Sequence, residues 1–374
     1  MSVEMSVETA ARTHGEIDDA AVDARLGEHL ARLRERAEGH HAGFREMWRS
    51  AEELVRGGKR LRSSVFASAL RGLREDGDTT GGTVGGTVGG TADAVDIACA
   101  VELLHAAFIV HDDVIDGDLV RRGRPNVSGR AVEAANRAGA VPAAAGAFGQ
   151  AAGILAGDVL LSAALSLVGS GDVGGATRRA LVDLFHDTVF ASVAGEHADV
   201  WFSLGVEDAD ATRVLQTIEL KTARYSFQTP LEAAAILAGC RPERIRQLRD
   251  IARGLGVVYQ LRDDVLGVFG SSEATGKSVS ADLREGTQTL LIALARTSPE
   301  WRSVAHRFGA PDLDEDDAEA LRTALRASGA LDRVELAIDA ECAVVRRRIR
   351  HAHLPPMLES YLLDLLVRCA ERDA

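Results

Sequence analysis

The sequence predicts an all-α fold, on three observations. Apolar residues make up 46% of the 374 residues while aromatics contribute only 4%. Ala and Leu dominate and strand formers are sparse, a composition that favours helices. Apolar positions recur at helical spacing, as at Leu26, Leu30 and Leu33. No alternation of short apolar runs with helical ones, the mark of a parallel sheet, is visible. No linker separates two cores, so residues 19–374 are expected to form one helical domain.

Residues 1–18 are polar and acidic, repeat Met-Ser-Val-Glu, and read as a disordered tail. Helical periodicity starts near Ala21. Gly57-Gly58 breaks a helix, and Lys59 to Leu70 opens the next. Residues 75–92 carry the repeat Gly-Gly-Thr-Val, which pays a large ordering entropy and packs no core, so a flexible surface loop is expected. No Gly-Lys-Ser/Thr follows it, which argues against a nucleotide phosphate cradle. Helices are then predicted over 92–116, 130–137, 144–168, 175–203, 208–226, 229–238 and 241–266. A Gly- and charge-rich loop follows over 270–286, then helices over 287–297, 316–327, 330–352 and 356–371.

A net charge of −13 argues against nucleic acid as a partner. The run Arg346-Arg347-Arg348-Ile349-Arg350 reads as a solvated helix face. Cys99, Cys240, Cys342 and Cys369 are widely spaced, without zinc spacing or a disulfide framework; free thiols in a reducing cytoplasm fit. The first residues show no signal peptide. The low-charge run Ala140 to Ser170 holds Asp158 and five glycines and starts at Pro142, so a buried helix is expected rather than a membrane span.

The chemistry is carried by two acidic segments. His111-Asp112-Asp113-Val114-Ile115-Asp116 ends a nearly apolar helix, with Asp112 and Asp116 one turn apart on one face. Asp263-Asp264 ends another, with Gln260 one turn before Asp264. Mg²⁺ prefers to sit between one or two carboxylates and substrate phosphates. Basic groups surround both segments. Arg121 and Arg122 can fork onto phosphate oxygens. Lys59, Arg60 and Arg62 follow the glycine pair, where a helix N-terminus favours anions. Lys221, beside Thr222, lies in an apolar helical pattern and needs an anionic partner.

Taken together and in this order, the segments resemble the trans-type isoprenyl diphosphate synthases. The resemblance rests on Gly57-Gly58-Lys59-Arg60-Leu61-Arg62 and on Glu102-Leu103-Leu104-His105 leading to Asp116. It continues through Arg121-Arg122-Gly123, Lys221-Thr222-Ala223, Tyr259-Gln260 with Asp263-Asp264, Thr275-Gly276-Lys277 and Asp282-Leu283-Arg284-Glu285-Gly286. It implies a helical bundle around a deep central cavity, a homodimer, and condensation of isopentenyl diphosphate onto an allylic diphosphate. It further implies that Lys59, Arg62, His105 and Arg122 hold isopentenyl diphosphate. Asp112, Asp116 and Asp263 would bind Mg²⁺, three ions with the bound diphosphate, and Asp113 and Asp264 complete the acidic set. Arg121, Lys221, Thr222, Gln260 and Lys277 would grip the allylic diphosphate.

Two positions depart from the family pattern. Gly267 stands where a third Asp of the second acidic motif is common, and Thr287 where a Lys follows Glu285-Gly286. Arg284 is a candidate to replace the lost cation. These departures leave a non-catalytic subunit of a heteromeric synthase as an alternative. A terpene cyclase would not need the basic groups near Gly58 and Gly123. Product length is expected to depend on the helix below Asp112. Phe108 lies one turn, about 6 Å, below it and Leu104 about 12 Å. The ring of Phe108 is a candidate floor, giving a C15 farnesyl product, but small Ala107 leaves room beside it. A C20 geranylgeranyl product is the favoured expectation.

Overall fold

The computed structural model describes residues 17–75, 90–270 and 281–371. Most of the predicted tail, most of the Gly/Thr-rich loop and Lys277 lie outside the described residues.

The helices follow the sequence periodicity closely. They are α1 (Asp19–Glu38), α2 (Ala42–Arg56), α3 (Leu61–Glu75), α4 (Thr91–Ile115), α5 (Val127–Arg137), α6 (Pro142–Ser170), α7 (Gly175–Ser203) and α8 (Ala211–Ile218). After a π-helical segment, Glu219–Gln228, come α9 (Thr229–Leu237) and α10 (Pro242–Phe269). The last third holds α11 (Ala281–Glu285), α12 (Leu290–Ala295), α13 (Pro299–Val304), α14 (Glu315–Ala327), α15 (Ala330–His351) and α16 (Pro356–Ala370). Starts are set by local chemistry. Asp18 accepts from the Ala21 N–H at 2.8 Å, and Asn126 from the Gly129 N–H at 2.8 Å. Pro142, Pro242 and Pro356 occupy first helical positions, where a missing N–H costs nothing. One connected hydrophobic core runs from Val22 to Cys369.

The loop expected over 270–286 ends in the short helix α11, α13 falls where no helix was expected, and two further features depart from the sequence reading. A two-stranded hairpin, β1 (Val120–Arg121) with β2 (Arg124–Pro125), turns through Arg122 and Gly123, both at positive φ (53° and 70°). Positive φ at both central residues marks the tight turn whose twist matches a hairpin. The other is the π segment, within a stretch expected to be ordinary helix. It is wedged between α7 and α10 at glycines: a Cβ on Gly195 would collide with Lys221 N, and one on Gly256 would lie 2.5 Å from Ala223 Cα. Such local widening re-aims side chains and is common at functional sites.

Both α4 and α6 are long and apolar enough to cross a membrane, with 72% and 50% of their most apolar windows buried in the protein. Glycines let α6 pack closely, Gly153 and Gly157 against α4 and Gly149 against α5. A Cβ on Gly153 would sit 2.6 Å from Ser128 Oγ and closer still to Val114, one on Gly149 would sit 2.9 Å from Ser128 O, and one on Gly157 would strike the His111 ring. Gly153 and Gly157 thus bring α6 against the acidic tip of α4. The Arg346–Arg350 run lies on α15 with Arg346, Arg347 and Arg350 exposed and Ile349 buried.

Gly153→Ala is therefore expected to lower stability by about 1–3 kcal/mol through overpacking. Gly146→Ala, on the same helix with nothing within 4 Å of the added methyl, is expected to raise it by about 0.5–1 kcal/mol. Chemical denaturation of the two variants checks the contrast.

Candidate active site

A cavity of about 1220 Å³ opens between α3, α4, α7, the hairpin, the π segment, α10 and α16. It collects most of the predicted site. Asp112 and Asp116 reach it from α4, and Asp263 and Asp264 from α10. Lys59, Arg62, His105, Arg121, Arg122, Lys221, Thr222 and Gln260 share its wall, as does Phe108.

The acids of α4 and α10 are connected through the π segment. Lys221 Nζ lies 3.5 Å from Asp112 and hydrogen-bonds Asp199 at 2.8 Å and Glu196 at 3.1 Å. Burial opposes its charge, but Asp199, Asp112 and Glu196 outweigh burial and hold the ammonium above the usual lysine value. Its neighbour Thr222 donates to Gln260 Oε1 at 2.8 Å, and Gln260 Nε2 donates to Asp264 at 2.8 Å. Burial pushes the Asp264 carboxyl well above its ordinary value, only partly offset by that hydrogen bond. Asp116 is accessible within the cavity. The protein around it and Asp112 beside it still push its carboxyl up to about 8, against the pull of Lys221.

The basic side of the cavity is equally fixed. Arg62 is buried, donates to Ser226 Oγ at 2.9 Å and lies 4.9 Å from the Tyr225 ring centre. Tyr225 stacks on His105 at 5.8 Å and meets the Phe108 ring edge-on at 5.1 Å. Burial first, then Arg62, Arg121 and Arg122, hold the His105 imidazole well below its usual pKa, so the ring is neutral. Arg122 Nη1 donates to Gly57 O at 2.7 Å, docking the hairpin on the glycine pair. Glu102 accepts from the Ser63 N–H at 2.9 Å and lies 3.7 Å from Arg60, so the Glu102 and Arg60 side chains hold the start of α3.

Four expectations are corrected. Asp113 does not line this cavity: the helical turn sends it to the other side, where it is buried and accepts from Arg121 Nε at 2.7 Å. Its part is to aim Arg121, which also lies 3.6 Å from Asp112. Ala107 and Leu104 are fully buried and absent from the cavity wall, so Ala107 opens no room beside Phe108. Arg284 turns towards the Leu313 carbonyl at 3.5 Å and is not part of the wall, so it does not replace the cation lost at Thr287. The sequence reading had also missed Glu196 and Asp199, Tyr225, and the contribution of Tyr361 and Arg368 from α16. Glu196 and Asp199 were visible as an acid pair at i, i+3 spacing facing one way from a long helix.

Among the described residues no three acids or histidines enclose an ion by themselves. The donor set nevertheless suits Mg²⁺, which keeps several waters and takes phosphate oxygens alongside one or two carboxylates. Crowded carboxylates that raise one another's pKa are also what a divalent cation relieves.

The comparisons agree with this geometry. A family model described as polyprenyl synthetase matches residues 45–325. The chain belongs to the polyprenyl synthetase family. Enzymes of this family are prenyl transferases that use isoprenyl diphosphates. The chain is 29% identical to the geranylfarnesyl diphosphate synthase of Aeropyrum pernix, over 75% of this chain and 79% of that one. It is 32% identical to the short chain isoprenyl diphosphate synthase of Methanothermobacter thermautotrophicus, over 68% and 69%. In structure it is similar to the geranylgeranyl pyrophosphate synthase of Corynebacterium glutamicum complexed with isoprenyl diphosphate and magnesium. The TM-score is 0.84 at 27% identity, covering 94% of this chain and 98% of that one. The bundle is thus that of a polyprenyl synthetase.

The neutral His105 gives this polyprenyl synthetase a pH signature. Its folded pKa lies below the ordinary 6.5, so the unfolded chain takes the proton first. Stability from this group is full above pH 6.5 and falls as pH drops, by up to about 1.4 kcal/mol per unit. His105→Asn is expected to flatten the ligand-free stability profile between pH 6.5 and 5, as read by urea unfolding.

Proposed function

We propose that this chain is a Mg²⁺-dependent isoprenyl diphosphate synthase that joins isopentenyl diphosphate to an allylic diphosphate and releases geranylgeranyl diphosphate. The observation that carries this reading is the joining of both acidic pairs through Lys221-Thr222, beside a separate basic wall of Lys59, Arg62, His105 and Arg122.

Asp112, Asp116 and Asp263 would hold the metal, whose charge offsets the diphosphate as it leaves the allylic carbon. Lys221, Thr222, Gln260 and Arg121 grip that diphosphate, so its C–O bond breaks in a fixed electrostatic field. Arg62 and its neighbours place the isopentenyl double bond against the allylic cation. The terminal alkene carbon forms the new C–C bond, and the resulting tertiary cation loses a proton to the released diphosphate. The apolar wall keeps water from the cation.

The C20 assignment is supported by cavity depth. Asp112 and Asp199 stand at one level, both against Lys221. The wall continues along α7 through Val193 to Val189, roughly 15 Å below Asp199, whereas Phe108 lies only about 6 Å below Asp112. The ring of Phe108 therefore flanks the cavity rather than flooring it. Homodimer formation is supported by the apolar residues left exposed on α6 and α7, with Phe148 46%, Leu155 55% and Phe190 74% accessible. A cytoplasmic location fits the free cysteines.

The purified chain, given Mg²⁺, isopentenyl diphosphate and in turn C5, C10 and C15 allylic primers, is expected to yield a C20 alcohol after dephosphorylation. A stop at C15 that Phe108→Ala lengthens would make the ring the floor and overturn the C20 assignment. No product from any primer would overturn the enzyme reading in favour of a subunit that needs a partner. In solution the chain is expected to run as a dimer in light scattering, and Phe190→Asp to shift it towards monomer.

A further inference from the structure

A further cation reaches the cavity from the last helix. Arg368 of α16 is exposed and lines the wall with Tyr361 and Leu365. Its level in the cavity follows from how α16 lies on α3. A Cβ on Gly72 would sit 2.8 Å from Leu358 Cβ, and the Tyr361 hydroxyl is hydrogen-bonded to Ser68. Moving forward along α16 thus means moving back along α3, so the two helices run antiparallel. Beyond Tyr361 by about 10 Å, Arg368 stands level with Leu61, which lies as far before Ser68. Leu61 falls between Lys59 and Arg62 in the chain, and all three line the same cavity.

The cations already placed there are tied by short hydrogen bonds, Arg62 to Ser226 at 2.9 Å and Arg122 to the Gly57 carbonyl at 2.7 Å. Arg368 instead folds back on Tyr361. Its guanidinium carbon lies 5.8 Å from the ring centre, and it is hydrogen-bonded to the phenol. A neutral ring holds an exposed guanidinium weakly, whereas phosphate oxygens take it in charge-assisted pairs. The helix beneath Arg368 is fixed. Arg262 Nε donates to the Ala370 carbonyl at 2.7 Å, and its two terminal nitrogens each meet Glu335 at 2.8 Å. Arg368 can therefore change partners by rotating its side chain, without movement of α16.

We propose that Arg368 is a further contact for isopentenyl diphosphate, leaving the Tyr361 ring for a phosphate oxygen when that substrate enters beside Lys59 and Arg62. This rests on the reading of the basic wall as the isopentenyl diphosphate site. Lys59, Arg62 and Arg368 bring like charges to one level, and an anion between them relieves the repulsion.

The test is steady-state kinetics of the full chain with Mg²⁺, varying isopentenyl diphosphate and the allylic primer in turn. Isothermal titration reads isopentenyl diphosphate affinity directly, and circular dichroism reads folding. Arg368→Met is expected to raise KM for isopentenyl diphosphate, and to weaken its titrated affinity, about tenfold or more. KM for the primer is expected to stay in place. Arg368→Lys keeps the charge but not the fork, and is expected to recover part of the loss. Wild-type isopentenyl diphosphate affinity in Arg368→Met, with affinity lost in Lys59→Met, would overturn the role of Arg368 and leave the basic wall standing. Equal rises in both KM values, as a general disturbance of the fold produces, would overturn that role too. Wild-type affinity in Lys59→Met as well would overturn both readings. Should Arg368→Met not fold, Arg368→Gln takes its place with the same outcomes.

Discussion

The constraint on which this structure depends is the confinement of like charges. Asp112, Asp116, Glu196, Asp199, Asp263 and Asp264 all line one cavity, and only a rigid scaffold keeps such groups from moving apart. Lys221 pairs with three of them at once. Its position follows from the π segment, and the π segment from the two glycines that let it wedge between α7 and α10. The widened helix is thus tied to the electrostatics: an ordinary helical register would turn Lys221 and Thr222 to other faces.

Legibility in the sequence followed period and failed at partners. Helical spacing gave most of the elements to within a few residues, though not the short α11 and α13, and put Asp112 and Asp116 on one face, because a period of 3.6 fixes relative direction along one helix. The same period places Asp113 on a different face, where it meets Arg121; the acidic cluster read as a unit hides that division. Ala107 and Leu104 show the converse error. Distance below Asp112 along the axis was right, but axial position says nothing about azimuth, and both point into the core. Glu196 and Asp199 were overlooked because a pair of acids on a long helix is ordinary until a buried Lys is seen to face it.

The departures at Gly267 and Thr287 illustrate a second limit. Motif reading compares residues position by position along the chain, whereas a cavity counts groups in space. Gly267 looks like a loss on α10, yet a Cβ there would collide with the carboxylate of Asp282. At Thr287 no replacement is seen from Arg284, which stays outside the cavity wall. Two substitutions that look equivalent in sequence therefore have different physical standing.

The hairpin at Arg122 and Gly123 has a bearing on tolerance to change. Two neighbouring arginines on one tight turn serve different masters: Arg121 is drawn to Asp113 and Asp112, and Arg122 to the Gly57 carbonyl. Arg121 ends β1 and Arg122 opens the turn at positive φ, so a single-residue insertion or deletion here would move at least one of the two arginines off its partner. The segment is short and exposed at its tip, yet its length is held from both sides by the two contacts.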